Sequence, residues 1–510
     1  MTAFSLTGVI RRWAAETPER VALLDGERAV TWRELHDRAA QVARALVADG
    51  VGVGDRVAFL GKNGTRFFEV LFGTAMAGAV LVPVNWRLAA PEAVAVINDA
   101  DAMVLVAGVE LVGRLRDLAR ELSRVKRIVA AGYEAWLWPY TSDDPLAERT
   151  PDEIAVQLYT SGTTGVPKGA MLTNAGVGAF MAYGPRLGID ERSVVLAALP
   201  MFHIAGSGWA LMAMTAGATT VLARDFDAAE TLELIARHRV THSLFVPSML
   251  RALTEVDGVD VADLSSLELV MYGASPISDD LLARCLATLD CAFCQTYGLT
   301  ETSGAVSMVS VADHRDPARR DQLRAAGKAM GDVELRVVDP ETLIDVADGS
   351  IGEVWVRSVQ VMKGYWKNEA ETRRVLTPDG WLRTGEAGYL RDGYLYLHDR
   401  LKDMIVSGGE NVYPAEVENV LMAHPAVADV AVIGVPSGRW GEEVKAVVVA
   451  APGAPFDRDD LLAFARRALA GYKVPKTLDL VDVLPRTPSG KVLKKDLRAP
   501  FWVGHGRAIG

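Results

Sequence analysis

The first part of the chain alternates between apolar residues at helical spacing and short, uninterrupted apolar runs. The segment after Thr31-Trp-Arg-Glu34 has apolar residues on one helical face and ends at Gly50, so it predicts a helix opened by a capping box. Residues 79–84 carry no charge, which predicts a parallel strand covered on both faces. This alternation continues to about residue 300 and therefore predicts doubly wound α/β sheets.

Beyond residue 330 the pattern changes to pairs of short strands. The stretch Tyr389-Leu-Arg-Asp-Gly-Tyr-Leu-Tyr396 surrounds an Asp-Gly pair, which predicts a β-hairpin. After residue 403, helices near 415–423 and 459–470 alternate with strands, which predicts a small α+β unit. We therefore expect an α/β protein. Its large N-terminal domain of doubly wound sheets, with a β-rich subdomain, spans residues 1–399. A hinge at 400–403 joins it to a small α+β C-terminal domain over 404–510.

One apolar stretch is long enough to suggest a membrane helix. Residues 193–223 contain no Asp, Glu, Lys or Arg. Pro200 and three glycines interrupt the stretch, so it predicts a strand, a loop, a buried helix at about 205–215 and a second strand. The first 20 residues lack the layout of a secretory signal. We expect no integral membrane segment.

Composition narrows the class of protein. A chain of 510 residues exceeds what one hydrophobic core usually serves, so two or more domains are expected. The net charge of −11 argues against a general nucleic-acid binder. Three cysteines do not make a disulfide scaffold, and a reducing cytoplasm is the expected location. Cys291-x-x-Cys294 has no second pair, so buried thiols are favoured over a zinc site. The sequence leaves a homodimer open.

The stretch Tyr159-Thr-Ser-Gly-Thr-Thr-Gly-Val-Pro-Lys-Gly-Ala-Met-Leu172 carries the strongest chemical signal. Its hydroxyl groups and backbone N–H groups can surround an anion, and Lys168 adds a positive charge. The P-loop of nucleoside triphosphatases would need Gly at position 167 and Ser or Thr at 169, where this chain has Pro167 and Gly169. The stretch therefore predicts a phosphate-binding loop of another type.

This loop resembles the phosphate loop of the adenylate-forming superfamily, which includes acyl-CoA synthetases, peptide-synthetase adenylation domains and firefly-type luciferases. Seven further stretches resemble that superfamily's motifs in the same order, so the resemblance covers essentially the whole chain. They are Leu199-Pro-Met-Phe-His-Ile204, Tyr272-Gly-Ala-Ser-Pro276, Gln295-Thr-Tyr-Gly-Leu-Thr-Glu-Thr302, Trp381-Leu-Arg-Thr-Gly-Glu386, His398-Asp-Arg-Leu-Lys-Asp-Met-Ile405, Ser407-Gly-Gly-Glu-Asn-Val-Tyr-Pro414 and Pro485-Arg-Thr-Pro-Ser-Gly-Lys-Val492.

The resemblance implies a role for each site residue. It implies ATP binding by Thr160, Ser161, Gly162, Thr163, Thr164, Gly165, Lys168, Gly273, Ala274, Ser275, Gln295, Thr296, Tyr297, Gly298, Thr300, Glu386, Arg400 and Lys491. The catalytic residues would be Lys168, Thr300, Glu301 and Lys491, with Glu301 as the Mg²⁺ ligand, a role that suits a carboxylate. The acyl group would be bound by His203, Ala205, Gly206, Gly298 and Gly304, and CoA by Gly408 and Gly409. Lys402 would be the hinge residue.

The chain departs from the superfamily's pattern at two positions. Glu386 stands where an Asp usually accepts hydrogen bonds from the ribose hydroxyls, so the ribose contact must shift to accommodate an extra methylene. Asp399 replaces the usual Gly before Arg400. We expect the change at Glu386 to affect the affinity for ATP and not the fold.

The resemblance implies an ATP-dependent acyl-CoA ligase that forms acyl-AMP and then the CoA thioester, with ATP, Mg²⁺ and coenzyme A taking part. The small residues Ala205, Gly206, Gly304 and Ala305 suggest room for a fairly large apolar acid, such as a medium- or long-chain fatty acid or an alicyclic acid. Because 19 residues follow Lys491, too few for a carrier domain, free CoA is the favoured acceptor. The alternatives are transfer to the pantetheine of a carrier protein, a luciferase-type oxidation, and a non-catalytic nucleotide-binding protein.

Overall fold

A computed structural model describes residues 4–503 except 112, 114–118, 147, 162–166, 276, 401–402, 404, 408–409, 438–439, 454 and 487–491. The chain divides into two compact units. The first comprises Met1–Arg320, Met330–Val333 and Arg357–Leu382, and the second comprises Asp321–Ala329, Glu334–Val356 and Arg383–Gly510. The predicted combination of a large N-terminal α/β domain and a smaller C-terminal domain is confirmed. The hinge at 400–403 stays a prediction, since the second unit also takes in residues that precede it.

Short strands and helices alternate through the described residues. The strands are β1 (Val21–Asp25), β2 (Arg28–Thr31), β3 (Arg56–Leu60), β4 (Val80–Val84), β5 (Ala102–Ala107), β6 (Arg127–Val129), β7 (Ile154–Ser161), β8 (Pro167–Thr173), β9 (Val194–Ala197), β10 (Thr219–Leu222), β11 (His242–Phe245), β12 (Leu269–Gly273), β13 (Ala292–Leu299), β14 (Gly304–Val309), β15 (Lys328–Ala329), β16 (Glu334–Val338), β17 (Gly352–Arg357), β18 (Gly364–Tyr365), β19 (Leu382–Arg391), β20 (Tyr394–Arg400), β21 (Ile405–Ser407), β22 (Glu410–Val412), β23 (Val427–Ser437), β24 (Gly441–Ala450) and β25 (Thr477–Leu480). The α-helices are Leu6–Glu16, Trp32–Ala48, Thr65–Met76, Ala90–Asp99, Tyr133–Leu137, Asn174–Met181, Ile204–Thr215, Ala228–His238, Pro247–Thr254, Asp279–Leu289, Val311–Arg315, Glu369–Val375, Pro414–Met422, Arg458–Ala468 and Lys494–Trp502.

Two sheets organise the first unit. Eight of its strands form one sheet in the order β14-β13-β12-β11-β9-β10-β1-β2, and seven form the other in the order β18-β8-β7-β4-β3-β5-β6. Strands β13 to β1 of the first sheet and β7 to β6 of the second are parallel. Antiparallel strands β14, β2, β8 and β18 border these parallel cores. The apolar runs of the sequence form the parallel strands. In β3, β4 and β5 every residue is buried, as expected for strands covered on both faces.

The second unit contains the antiparallel pairs β19–β20, β21–β22, β21–β24 and β23–β24, and its strand β25 runs parallel to β24. Its two sheets have the orders β16-β17-β19-β20 and β22-β21-β24-β23, with β25 alongside β24. The predicted hairpin joins β19 to β20. Asp392 and Gly393 have φ values of 54° and 76°, which are the positive angles that a two-residue type I′ turn requires. The C-terminal sheet packs its apolar residues against helices Pro414–Met422 and Arg458–Ala468.

Local signals of the sequence are realised where they were expected. Thr31 caps helix Trp32–Ala48 by accepting from the Glu34 backbone, and the Glu34 carboxylate accepts from the Thr31 N–H at 2.8 Å. The uncharged stretch 193–223 contains β9, a helix of 12 residues and β10. Among the described residues, no helix is long and apolar enough to cross a bilayer. Cys294 is buried, which raises the pKa of its thiol to about 12, as expected for an inert core residue.

Candidate active site

Three of the predicted motifs meet at one edge of the first sheet. His203 follows β9, Gly273 is the last residue of β12, and Glu301 follows β13. Strand β11 lies between β9 and β12, and all four strands run parallel. The carboxyl ends of parallel strands share one edge of a sheet, where ligands of open α/β folds bind. The predicted acyl and adenine motifs and the motif that carries Glu301 therefore lie at the same edge of this sheet, as expected for parts of one site.

The turn that carries Glu301 is braced from within. Residues Thr300–Thr302 form one turn of 3₁₀ helix directly after β13. The Thr302 hydroxyl accepts a hydrogen bond from the Leu299 N–H at 2.9 Å and donates one to the Gly304 carbonyl at 2.8 Å. These bonds fix the backbone on both sides of Glu301, so the direction in which its side chain leaves the turn is restricted.

A segment that the sequence analysis did not single out holds this turn from outside. The N–H of Met362 donates to the Glu301 carbonyl at 2.8 Å, and the buried Gln360 amide donates to the Ala305 carbonyl at 3.0 Å. The Tyr365 hydroxyl donates to the Glu301 carboxylate at 2.8 Å. Burial and the neighbouring Glu301 charge raise the pKa of Tyr365, which keeps its hydroxyl a donor. The sequence signal for this segment was the Gly-Tyr-Trp cluster at 364–366.

Lys168 contacts the same tyrosine from a neighbouring strand, and both residues lie in the second sheet of the first unit. It lies on β8, which is antiparallel to β7 and pairs on its far side with β18, so that Ala170 is opposite Tyr365. The Lys168 ammonium lies 5.5 Å from the centre of the Tyr365 ring and forms an ion pair with Glu371. Tyr365 therefore contacts both Lys168 and Glu301, which are 133 positions apart in the chain.

The phosphate stretch is less of a loop than its composition indicates. Thr160 and Ser161 belong to β7, and residues from Pro167 onward belong to β8, with Thr160 opposite Lys168. The predicted residues Gly162, Thr163, Thr164 and Gly165 lie outside the described part of the chain. The expectation that the whole stretch is a loop is thus corrected, because both ends are paired as a β-ribbon.

The base of this ribbon is tightly packed. The Arg56 guanidinium lies 3.4 Å from the centre of the Trp366 ring and donates to the Gln157 amide oxygen at 3.1 Å. Gly169 faces Gln157 so closely that a Cβ there would lie 2.6 Å from the amide nitrogen. A side chain in place of the glycine that follows Lys168 would therefore have to displace the Gln157 amide.

The acyl motif is held by a residue that the sequence analysis missed. Asn63, which follows β3, is buried and donates to the carbonyls of Leu199 and Ala223 at 3.0 Å each. Its side-chain oxygen accepts from the Met201 N–H at 3.0 Å. Asn63 thus fixes the loop that leads to His203, whose backbone caps helix Ile204–Thr215. An Asn after an apolar strand is a common turn signal, so the sequence alone did not distinguish Asn63 from an ordinary turn residue.

The space expected beside two of the glycines is already filled. A Cβ on Gly206 would lie 2.2 Å from the Pro200 carbonyl oxygen, and a Cβ on Gly304 would lie 2.5 Å from the Phe180 ring. Ala305 is buried. The inference that these small residues leave room for a large acyl group is therefore corrected, because they allow close packing. Ala205 is half-buried and stays a predicted lining residue.

The adenine motifs also depend on close backbone approach. A Cβ on Gly273 would lie 2.4 Å from the Thr296 carbonyl oxygen, and Ala274 has a φ of 67°. Behind them, the Tyr272 hydroxyl donates to Nε2 of His314 at 2.9 Å, since Nδ1 of His314 faces the Ser310 carbonyl at 2.8 Å. Burial lowers the pKa of His314, which keeps the ring neutral and Nε2 an acceptor.

The other described residues of the first unit that were predicted to bind ATP lie close to these turns. Ser275 follows Ala274, while Gln295, Thr296, Tyr297 and Gly298 form the end of β13 before Thr300, and all of them are partly exposed. Gly298 lies at a bulge between β13 and β14, where a Cβ would be 2.0 Å from the Gly304 carbonyl oxygen. The approach of β14 therefore leaves no room for a side chain at this position.

Glu301 is the described residue of the site best suited to hold a metal ion. Magnesium that arrives with a nucleotide uses one or two carboxylates and completes its shell with phosphate oxygens and water. The Glu301 carboxylate is partly exposed and accepts a hydrogen bond from the Tyr365 hydroxyl, and a single carboxylate of this kind fits that requirement. Within the described ranges, no group of three or more His, Cys, Asp or Glu side chains is placed to hold a metal ion.

Comparison with known families covers most of the chain. Residues 10–366 match the family described as AMP-binding enzyme, and residues 416–491 match the AMP-binding enzyme C-terminal domain. The chain belongs to the AMP-binding, adenylate-forming enzymes. Its membership confirms the resemblance found in the sequence motifs.

Relatives of this AMP-binding enzyme match it along nearly its whole length. A fatty acid–acyl-carrier-protein ligase, ScoC, of Streptomyces coeruleorubidus is 40% identical over 508 residues, which cover 97% of this chain and 96% of the relative. A feruloyl-CoA synthase of an Amycolatopsis species is 41% identical over 497 residues, covering 96% and 98%. The crystal structure of ATP-bound MatB from Rhodopseudomonas palustris has a TM-score of 0.90 and 29% identity, covering 97% of this chain and 99% of that one. The protein is accordingly an AMP-forming acid–thiol ligase.

In this AMP-binding enzyme the two predicted ribose and phosphate contacts of the second unit are cross-strand partners. Glu386 on β19 is opposite Arg400 on β20. The turn before Glu386 is fixed by the Glu353 carboxylate, which accepts from the Gly385 N–H at 3.0 Å, and by the Thr384 hydroxyl, which donates to the Val354 carbonyl at 2.6 Å. The predicted residues Lys402, Gly408, Gly409 and Lys491 lie outside the described part of the chain, so their roles stay predictions.

Glu386→Ala should raise the Michaelis constant for ATP and leave that for the acid unchanged. Loss of an acceptor for ribose hydroxyls costs about 1–2 kcal/mol, or roughly 5- to 30-fold. Steady-state kinetics with each substrate varied in turn would measure this. Glu386→Asp, which restores the usual family residue, is the matched control and should retain ATP affinity. An unchanged ATP constant in Glu386→Ala would mean that Glu386 does not contact the ribose.

Proposed function

We propose that this ligase activates an apolar monocarboxylic acid with ATP, forms an acyl-AMP and then transfers the acyl group to CoA, releasing AMP and pyrophosphate. The observation that carries the proposal is the contact of Tyr365 with both Lys168 and Glu301, which brings a cation and a carboxylate from two sheets to one place. Such a pair suits a nucleotide phosphate and the Mg²⁺ ion bound to it.

The chemistry explains why the site needs these charges. A carboxylate resists attack by a thiol because its leaving group would be oxide, and joining it to AMP supplies a better one. The carboxylate and ATP are both anionic, so the site must neutralise and align them. We assign this work to Lys168, Thr164 and Lys491, with Thr300 at the α-phosphate and Glu301 holding Mg²⁺. When bound, the ion neutralises phosphate charge.

The region around His203 favours an apolar acid. Helix Ile204–Thr215 and the loop before it carry no Lys or Arg that could bind a second carboxylate. His203 and Ala205 are partly exposed at the start of this helix, while the following residues from Gly206 to Met214 are buried. We infer a medium- or long-chain fatty acid or a similarly apolar acid. The names of the relatives, which include fatty acid and feruloyl ligases, do not select one acid.

A carrier protein is the second candidate acceptor. The relative at 40% identity is named as an acyl-carrier-protein ligase, whereas the one at 41% is named as a CoA synthase. Both acceptors present the same phosphopantetheine thiol, so the chemistry of the thioester step does not distinguish them. We place CoA first, and the cytoplasm stays the predicted location.

The deciding experiment measures pyrophosphate and AMP release over a panel of carboxylic acids, with CoA, with a phosphopantetheinylated carrier protein, or with no acceptor. We expect kcat/KM to be higher for apolar acids than for polar ones of the same length, since each buried methylene contributes about 0.8 kcal/mol. AMP release with CoA alone would support CoA as acceptor, and release only with the carrier would support the second candidate. Pyrophosphate release that no acid stimulates would contradict the proposed function.

Ala205→Phe should shift acid preference toward shorter or smaller acids while leaving the Michaelis constant for ATP unchanged. The added ring would occupy acyl space if Ala205 lines it, whereas the neighbouring Gly206 cannot serve for this test because any Cβ there meets the Pro200 carbonyl. Activity profiles across acids of increasing length would measure the shift. Ala205→Gly is the matched control and should keep the parent's profile. A uniform loss at all lengths in Ala205→Phe would remove Ala205 from the acyl site.

A further inference from the structure

The strongest contact of Lys168 is with a residue outside the predicted motifs. Glu371, on helix Glu369–Val375, forms an ion pair with the Lys168 ammonium. The two side chains are only 9% and 16% exposed, so solvent screens this pair weakly. A lysine side chain is long and flexible, and a partner of opposite charge limits the positions that its ammonium can take.

Glu371 is itself fixed on three sides. Arg374 donates to both of its carboxylate oxygens, at 2.7 and 2.9 Å, and the Glu371 N–H donates to the side chain of Asn368 at 3.1 Å. Hydrogen bonds to the Glu371 carboxylate, chiefly from Arg374 and also from Lys168, lower its pKa to about 2. The carboxylate therefore stays ionised at neutral pH and does not depend on Lys168 alone for a partner.

The helix that carries Glu371 is attached to the strand that carries Tyr365. The Thr372 hydroxyl donates to the Asn368 carbonyl at 2.8 Å and accepts from the Tyr365 N–H at 2.9 Å. Gly364 and Tyr365 in turn pair with β8, the strand of Lys168. The Lys168 ammonium thus lies between the Tyr365 ring and the Glu371 carboxylate, and both come from one segment of eleven residues, 364–374.

We propose that Glu371 is a positioning residue for Lys168, holding its ammonium in place for the ATP phosphates. This inference rests on the proposed function. Removing one partner of a buried ion pair leaves an uncompensated charge, which is costly. Because Arg374 remains bonded to Glu371, Lys168 can turn toward a phosphate without leaving that carboxylate unpaired. Glu371 is thus shared between Lys168 and Arg374. This arrangement suits a lysine that must be ordered before ATP binds and free to contact a phosphate once ATP has bound.

The same helix offers a matched control. Glu369 pairs with Arg373 at 3.1 Å, and the exposed fractions of these two side chains are 88% and 73%. This pair has the same chemistry and lies on the same helix, but it is on the surface, where ion pairs contribute little. A change to Glu369 therefore reports what the loss of a carboxylate does to the helix alone.

The experiment compares Glu371→Gln, Glu371→Asp and Glu369→Gln, each with Lys168 present and in a Lys168→Ala background. ATP–pyrophosphate exchange gives kcat and the Michaelis constant for ATP, isothermal titration calorimetry gives ATP affinity, and thermal unfolding checks the fold. With Lys168 present, Glu371→Gln should lower kcat/KM for ATP by about tenfold, as expected for one charged hydrogen bond. Glu371→Asp, which keeps the charge, should lose less, and Glu369→Gln should match the parent. Thioester formation from supplied acyl-AMP should not change in any of them.

The double variants separate the outcomes. If Glu371 acts through Lys168, Glu371→Gln should cause no further loss in the Lys168→Ala background. An equal loss in both backgrounds, or a Glu371→Gln protein that behaves like Glu369→Gln, would overturn the positioning role. If Glu371→Gln unfolds early, the same comparison is made with Glu371→Asp. Failure of the proposed function would look different, since the parent protein itself would then show no ATP–pyrophosphate exchange that depends on a carboxylic acid.

Discussion

Replacing Lys491 with alanine is expected to slow acyl-AMP formation by on the order of 10²–10³, or roughly 2.7–4 kcal/mol, the usual cost of losing one preorganised donor. The resemblance of Pro485-Arg-Thr-Pro-Ser-Gly-Lys-Val492 to the C-terminal lysine motif assigns this ammonium to the charge that develops near the α-phosphate as the carboxylate attacks. Thioester formation should not need it. Stopped-flow measurement of each half-reaction, with acyl-AMP supplied for the second, would separate the two steps.

Lys495 supplies the control for this prediction. It lies four residues further along the chain, on helix Lys494–Trp502, and is exposed. Lys495→Ala removes the same charge from the same neighbourhood of the sequence and should leave both half-reactions at the parent rates. Near-normal adenylation by Lys491→Ala, or an equal loss in both half-reactions, would show that Lys491 is not the adenylation lysine.

Lys168→Ala should lower kcat/KM for ATP in the adenylation step by on the order of 10²-fold, because one charge that faces the phosphates is lost. The fold should survive, since Glu371 keeps two hydrogen bonds from Arg374 when the lysine is absent. Pyrophosphate release with ATP varied, together with calorimetric measurement of ATP binding, would report the change. The Michaelis constant for the acid should move much less.

A neighbouring lysine distinguishes this effect from a general loss of charge. Lys367 lies one residue beyond the Trp366 that packs on Arg56, is half exposed, and forms an ion pair with Asp101. Lys367→Ala should therefore keep the parent's ATP kinetics. If Lys168→Ala and Lys367→Ala lose activity to the same extent, Lys168 has no special place at the phosphates, and the role proposed for Glu371 is lost with it.

The sequence predicted those features that depend on neighbours in the chain. The capping box at Thr31 and Glu34, the Asp392-Gly393 turn and the uncharged parallel strands each follow from the local preferences of a few consecutive residues. The motif order also predicted the family, and a family fixes which kinds of residue carry the chemistry. These predictions are confirmed because the pattern and the element occupy the same stretch of chain.

The tertiary structure alone decided which residues support the predicted ones. Asn63, Gln360, Tyr365 and Glu371 hold the loop before His203, the turn that carries Glu301, and Lys168. Their contacts span 55 to 203 positions of sequence. No local period or turn preference identifies such partners, because hydrogen bonds and ion pairs between distant segments depend on how strands β8, β13 and β18 are brought together. Their geometry is a property of the packed chain.

The glycines show the same limit from the opposite direction. Sequence alone established that Gly206 and Gly304 are small, and from this we expected open space beside the acyl group. The structure decided that the space next to each is filled, by the Pro200 carbonyl and by the Phe180 ring. A missing side chain can leave a cavity or permit close approach, and interiors are packed so densely that the second outcome is common. Only the positions of the surrounding atoms distinguish the two.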